Sequence, residues 1–329
     1  MSIVEKPLIT VITASWDREK YLKKLGNSLI KQSFQNFEWI IANDGSKDNT
    51  DQVVKSIAEK AKFKITYIKS SLRIGKSKMD NLMMKRVQGE YLTACGSDDI
   101  LCSDALENLY NLTKKIPENK KDEYVGIFAN SIDVNGVSQT YANNKKINHD
   151  QHLYWEDIKK IGIGDGTTLE QFRFLKNKQY LEVDFLITES SLLDRIYKKK
   201  KFVVSNKIVK IMDRSATNSI SFGKKIRYCR GSAYCIAEVE NMNEFNSHNL
   251  FQKIKIIINY WRYSIHGDII FFEAKKMLEP VKRNIFYSFL YPISYIICLR
   301  DIFLNKVEKT HIEFNNNKKK TKISVKIFN

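Results

Sequence analysis

Cysteine is sparse in this chain and suggests no pairing. The five cysteines, Cys95, Cys102, Cys229, Cys235 and Cys298, are odd in number and form no CxxC pair. That argues against a disulfide framework and against a thiolate zinc site. Buried reduced thiols are expected, and with them a reducing, cytoplasmic location. Long apolar runs are lacking too. The aromatic-rich run 285–299 spans 15 residues and contains Pro292, short of the roughly 20 needed to span a bilayer. No signal peptide is expected, because residues 1–6 are polar and the first apolar run is only strand-length. Acidic residues are in deficit: 37 Asp and Glu against 55 Lys and Arg leave a net charge of +18. A charge of that sign and size implies an acidic partner, either nucleic acid, a phosphorylated ligand or an anionic lipid surface. The glycine-rich stretch 162–166 has neither a Walker lysine nor GxGxxG spacing, so it is not read as a phosphate cradle.

With 329 residues and 43% hydrophobic content, the chain can bury a full core. Its first hundred residues alternate between two periods. Residues 8–14 are a continuous β-rich run, as expected of a strand covered on both faces, and Trp16, Asp17 and Arg18 break it. A helix is predicted over 19–32, where Tyr21, Leu22, Leu25, Leu29 and Ile30 recur at helical spacing. Strands over 37–42, 64–68 and 91–94 and helices over 50–61 and 77–87 repeat the unit. Right-handed crossovers then give a mostly parallel sheet with helices on both faces. Asn135-Gly136 predicts a hairpin between 126–134 and 137–141, and so a partly antiparallel edge.

Two acidic turns fall at strand ends. Asn43, Asp44, Gly45 and Ser46 follow the second strand, and Gly96, Ser97, Asp98 and Asp99 follow the fourth. Parallel strands bind ligands beyond their carboxyl ends, so both turns are aimed at one crevice. Adjacent carboxylates suit a hard divalent cation shared with substrate phosphates, or else a solvated loop with Asp99 capping the next helix. Asp44 in such a turn can accept a proton from a base or a ribose hydroxyl, or can form an Asx turn in which Gly45 supplies positive φ.

Residues 7–22, 28–34 and 37–50, followed in order by Gly75-Lys76-Ser77-Lys78-Met79-Asp80-Asn81 and the strand-loop 89–99, resemble the opening of family 2 glycosyltransferases. The resemblance implies an α/β, GT-A nucleotide-diphospho-sugar transferase fold, a Rossmann-like, mainly parallel sheet flanked by helices, with a helical C-terminal extension. It implies transfer with inversion from a nucleotide-sugar, expected to be a UDP-sugar, to a saccharide or lipid-linked acceptor in surface polysaccharide assembly (capsule, O-antigen or exopolysaccharide). By the same resemblance Thr13, Ser15, Asp44, Arg73 and Ser97 line the donor pocket, with Asp44 facing the base, and Asp98 and Asp99 hold Mn2+ or Mg2+. The family's Asp-Ser-Asp-Asp reads Gly96-Ser97-Asp98-Asp99 here, so the first carboxylate is missing. Further on, the order acidic residue, helix, basic turn, strand over 189–211 resembles the family's acceptor half. Glu189 is the candidate catalytic base and Asp184 the reserve. A carboxylate at that place is also what a helix N-terminus favours. The turn at 162–166 is expected near the acceptor.

The implied division is a transferase domain over 1–245, with its nucleotide-binding half over about 1–115, a helical extension over 246–310 and a basic disordered tail over 311–329. The run 285–299 has basic borders. It reads either as an interfacial segment on an anionic membrane or as a helical hairpin docked on the catalytic domain. Two other functions compete. A nucleotidyltransferase would carry a glycine-rich basic loop after the first strand, where this chain has Ser15-Trp16-Asp17-Arg18. A nucleic-acid-binding protein would fit the charge, yet no recognisable RNA or DNA module is present and nucleic acid is not expected as a partner.

Overall fold

In a computed structural model, the structure describes residues 6–140, 147, 149–162, 164–213, 215, 226, 228–239, 248–277, 286–307 and 321–329. The tail over 311–320, Tyr141 of the expected hairpin, Ile163 and Ile285 lie outside them. The chain forms two compact units that interleave in sequence. The first comprises Met1–Lys178, Ile196–Ser219 and Asn317–Asn329, and the second Gln179–Arg195 and Ile220–Asn316. These limits differ from the linear division at 245 and 310.

The first unit is built on a sheet. Its opening strands are β1 (Ile9–Ser15), β2 (Phe37–Asp44), β3 (Ile65–Ser70) and β4 (Tyr91–Ala94), alternating with helices α1 (Glu19–Ile30), α2 (Thr50–Ala58) and α3 (Lys76–Met84). β1 pairs in parallel with β2 on one side and β4 on the other, and β2 pairs in parallel with β3. The strand order 3-2-1-4 therefore reverses at β1, and the crevice lies beyond the carboxyl ends of β1 and β4. Past β4 come β5 (Asp99–Leu101), β6 (Tyr124–Asp133), β7 (Gln151–Tyr154), β8 (Thr167–Gln171) and β9 (Lys201–Met212). β8 runs antiparallel to both β4 and β6, β9 runs parallel to β6, and β5 and β7 run antiparallel to β9. The expected mixed edge is there. Its Asn135-Gly136 turn closes with Asp133 N–H donating to Val137 O and Gln139 N–H to Ser131 O, each at 2.8 Å, and Ile132 bridges Ser138.

Amphipathic patterning explains the packing. α1 buries Leu22, Leu25 and Leu29, and α2 buries Val54 and Ile57, against Trp39, Ile41, Phe37 and Phe63. Each such side chain stabilises by about 1.5–3 kcal/mol relative to exposure. The five cysteines form no disulfide, and Cys102 is more accessible than the other four, which are buried.

One expectation is corrected. The 311–329 tail is not wholly disordered: β10 (Ile323–Phe328) adds antiparallel to the outer edge of β3, with Ile323 opposite Ser70 and Phe328 opposite Ile65. Ile323, Val325 and Ile327 alternate with Ser324 and Lys326, the period of a strand, and β3 would otherwise present a bare edge. The turn expected at 162–166 opens on Gly162, the left-handed C-cap, φ 73°, of the helix Trp155–Ile161.

The second unit is helical among its described residues. The helix Leu250–His266 opens with a capping box, Gln252 N–H donating to Asn249 Oδ1 at 2.9 Å and Asn249 N–H to Gln252 Oε1 at 3.0 Å. Trp261 at its centre stacks on Phe271 at 5.1 Å between ring centroids and donates its indole N–H to Tyr287 O at 2.9 Å. The helix Tyr291–Phe303 carries Pro292 in its first turn, where the missing N–H costs little. No described helix is long and apolar enough to cross a membrane.

Candidate active site

The site grows from the turns at the carboxyl ends of β1, β2 and β4, all in the first unit. The first two turns are stitched to one another. Asp17, at φ 50°, accepts from Lys47 N–H at 2.7 Å and gives its own N–H to Ser46 Oγ at 3.0 Å. Asp48 accepts from Glu19 N–H and Glu19 accepts from Asn49 N–H, each at 2.8 Å. Carboxylates from opposite turns thereby serve the amide groups at the starts of α1 and α2.

Asp44 ends β2 and is buried. Its Oδ1 accepts from Ile74 N–H at 2.6 Å and its Oδ2 from Gly75 N–H at 3.0 Å. Burial lifts its carboxyl above the ordinary aspartate value, and those two amides oppose the lift. Of the two readings open for Asp44, its oxygens serve the 74–75 amides and form no Asx turn; the β2 turn is tied by its neighbour, whose Asn43 Oδ1 accepts from Ser46 N–H at 2.8 Å. Gly45 does supply positive φ, 72°, and a Cβ there would stand 2.6 Å from Arg73 N. The 72–75 loop is thus laid directly over Gly45. It carries Arg73, whose guanidinium stacks on Trp16 at 3.4 Å from the ring centroid.

The acidic loop after β4 splits its two carboxylates between tasks. Asp99 accepts from Gly96 N–H at 3.0 Å and pairs with Lys210 Nζ at 3.0 Å, both side chains being under 9% exposed. Burial disfavours the Lys210 ammonium, and Asp99 outweighs it, so the lysine stands above its ordinary pKa. Asp98 is the accessible member, its side chain 22% exposed, and Arg18 Nη1 donates to its Oδ2 at 3.2 Å. Burial raises the Asp98 carboxyl, Arg18 opposes that, and Asp99 adds to it. A Cβ on Gly96 would lie 2.9 Å from Asp99 Oδ2 and 3.0 Å from Asp98 Oδ1. Glycine here lets both carboxylates close in on the loop backbone.

The turn after β1 touches both flanks of the crevice, through Trp16 under Arg73 and Arg18 against Asp98. Ser15 is buried, and among the described residues its Oγ has no hydrogen-bond partner. Ser97 is buried in the acidic loop. Thr13 is buried as well, its Oγ1 accepting from Trp39 Nε1 at 3.0 Å. Asp184 and Glu189 belong to the second unit. Glu189 is exposed at the start of the helix Ser190–Tyr197, its carbonyl accepting from Leu192 and Leu193 N–H at 3.0 Å.

Three residues at the site were given no role from sequence. Arg18 carried no signal beyond its place in a turn. Lys210 did, as one charge inside the apolar run Ile208-Val209-Lys210-Ile211. Asp213 follows that strand, gives its N–H to Asp98 O at 3.2 Å and holds Lys24 Nζ at 2.9 Å. Hydrogen bonds from Ser215 and Lys24 hold its carboxyl below the usual range.

The donor chemistry of the loop, hard carboxylate oxygen, fits Mg2+ or Mn2+. Among the described residues no group of three or more His, Cys, Asp and Glu could hold an ion. A cation here would take Asp98 as its protein ligand and complete its shell from phosphate and water.

A mainly parallel sheet, reversing at β1 with acidic turns along one edge, is the GT-A fold. The glycosyl transferase family 2 model matches residues 10–174, and the chain belongs to that family. The structure of S. aureus TarS 1–349 in complex with UDP-GlcNAc is similar in fold, with a TM-score of 0.61 at 16% identity, the match covering 98% of this chain and 97% of that one. The glycosyltransferase GlyG of Streptococcus pneumoniae is 24% identical over 216 residues, 63% of this chain and 68% of GlyG. The GalNAc(5)-diNAcBac-PP-undecaprenol beta-1,3-glucosyltransferase of Campylobacter jejuni is 26% identical over 220 residues, 66% of this chain and 68% of that protein. The glycosyltransferase GlyA of Streptococcus pneumoniae is 36% identical over 118 residues, and the match spans only 16% of GlyA.

Proposed function

We propose that this protein transfers a sugar, with inversion, from a nucleoside-diphosphate sugar to a saccharide or lipid-linked acceptor in the assembly of a surface polysaccharide. The observation that carries this reading is the arrangement about the turn after β1, with Arg73 stacked on Trp16 on one side and Arg18 paired with Asp98 on the other. Asp44 fixes the loop that presents Arg73, giving the crevice a rigid wall for the nucleoside. A UDP-sugar is the favoured donor, in keeping with the UDP-GlcNAc bound to TarS. The undecaprenol in the name of the Campylobacter relative favours a lipid-linked acceptor.

Bound through Asp98, a divalent cation would supply charge neutralisation to the departing diphosphate. The chain's own residues do the rest. Arg73 and the 72–75 loop hold the donor. An acceptor oxygen bonds to the anomeric carbon as the bond to the diphosphate oxygen breaks, and the acceptor proton passes to a carboxylate. Glu189, exposed at the start of its helix, is assigned that role, with Asp184 in reserve.

Thermal stabilisation by a panel of nucleotide-sugars, with and without Mn2+, tests the donor. A UDP-sugar should raise the melting temperature, and no response to any of the panel would refute the reading. With donor and acceptor in hand, Glu189→Gln should leave donor stabilisation unchanged and lower turnover by about a hundredfold or more. Retained activity in that variant, with loss in Asp184→Asn, would move the base to Asp184.

A further inference from the structure

The helix Tyr291–Phe303 is inverted for a water-facing helix. Its buried residues, Ser294, Cys298 and Asp301, follow helical spacing and are small or polar. Asp301 accepts from Arg262 Nη2 at 2.7 Å and lies 3.3 Å from His266 Nε2, while Cys298 Sγ donates to Arg262 O at 3.6 Å. The opposite side is apolar and open: Ile296 is 65% exposed, Leu299 52%, Ile302 55% and Phe303 88%. A helix packed by the hydrophobic effect would turn these residues inward. The surface continues beyond the helix. Exposed Phe272 has its ring 5.7 Å from that of Phe271, which in turn lies 5.0 Å from Tyr291 in the first helical turn. An apolar surface of this extent implies a partner.

Charge selects the partner. Within 286–307 the exposed charges are Arg300 and Lys306, and the one acidic residue, Asp301, is buried in its pair. Lys275 and Lys276 add exposed charge on the helix Phe271–Met277, whose Glu273 accepts from Tyr234 Oη at 3.3 Å. A symmetric contact between two copies would bring together two surfaces of the same sign, since each carries Arg300 and Lys306 and its Asp301 is buried. Anionic headgroups answer them instead. At 13 residues the helix is too short to cross a bilayer. We propose that the Ile296, Leu299 and Phe303 face rests in the interface of an anionic lipid membrane, with Arg300 and Lys306 at headgroup level. This inference stands apart from the transfer reaction.

Flotation of the full chain tests it, using vesicles of phosphatidylcholine alone and of phosphatidylcholine mixed with phosphatidylglycerol. The chain should float with the anionic vesicles only, and added salt should weaken the binding. The double variant Ile296→Ser, Leu299→Ser touches no buried contact, so it should keep its melting temperature and lose flotation. Arg300→Gln with Lys306→Gln should weaken binding by about tenfold or more. Neutralising Lys318, Lys319 and Lys320 should leave flotation in place. The proposal is overturned if the full chain does not float, if the serine variant floats undiminished, or if flotation depends on Lys318 to Lys320 alone. A dimer of the full chain that the serine variant dissociates would assign the face to a second copy, and that too would overturn it.

Discussion

Lys210 and Asp98 sit on either side of one short loop and should respond oppositely to substitution. Lys210→Met would strand Asp99, buried and stripped of its cation, at a cost of about 3–5 kcal/mol. Adding Asp99→Asn should recover part of that, and urea denaturation of the single and double variants checks both. For Asp98 the sign differs. Its folded pKa is raised, chiefly by burial, so its ionisation costs the folded state stability as pH rises from the unfolded value to the folded one, and the full cost stands above that. Asp98→Asn should therefore be neutral or stabilising near neutral pH while lowering transfer by about a hundredfold or more. Cation-dependent donor stabilisation in the wild type should fade on acidification at a pH above the ordinary aspartate value of about 3.9, a profile that calorimetry can follow. The acidic pair was legible because two carboxylates at a strand end are a local pattern. The division of labour between them was not, because it is set by Lys210, which is more than a hundred residues away in sequence and adjacent only once β5 pairs with β9.

At the scale of elements, the βα units were legible wherever one period held over a whole segment, as in α1 with its buried Leu22, Leu25 and Leu29. Composition misled where it hid a period. The lysines and asparagines at 315–320 give the tail a polar composition that outweighs the short alternation in β10. Removing 321–329 should bare the edge of β3 and produce concentration-dependent association, visible by light scattering. In the helical unit the stability of the Tyr291–Phe303 contact rests on Asp301. Burial works against ionisation of its carboxyl, yet hydrogen bonds from Arg262 and His266 outweigh burial and hold the pKa below the usual value. Such a group stabilises above its unfolded pKa, and the contribution is lost as pH falls through the folded one. Asp301→Asn should cost about 3 kcal/mol near neutral pH. The gap between wild type and variant in thermal melts should close below about pH 4.

For the molecule as a whole, the interleaving of the two units was beyond a reading taken along the chain. No composition shift marks residue 178 or 196, because the exchange between units is made by tertiary contacts. The net charge of +18, read from composition as the sign of an acidic partner, has local counterparts in Arg300 and Lys306 beside an apolar face. The strand β10 has a further consequence, for the order of synthesis. Lys322 N–H reaches back to Ser71 Oγ across 251 positions of sequence. At ribosomal rates the segment between takes roughly 10 to 50 seconds to make, and throughout that time β3 has no outer neighbour. The first βα units thus emerge early with an adhesive flank, and the growing polypeptide must be kept from its own kind until the covering strand is translated.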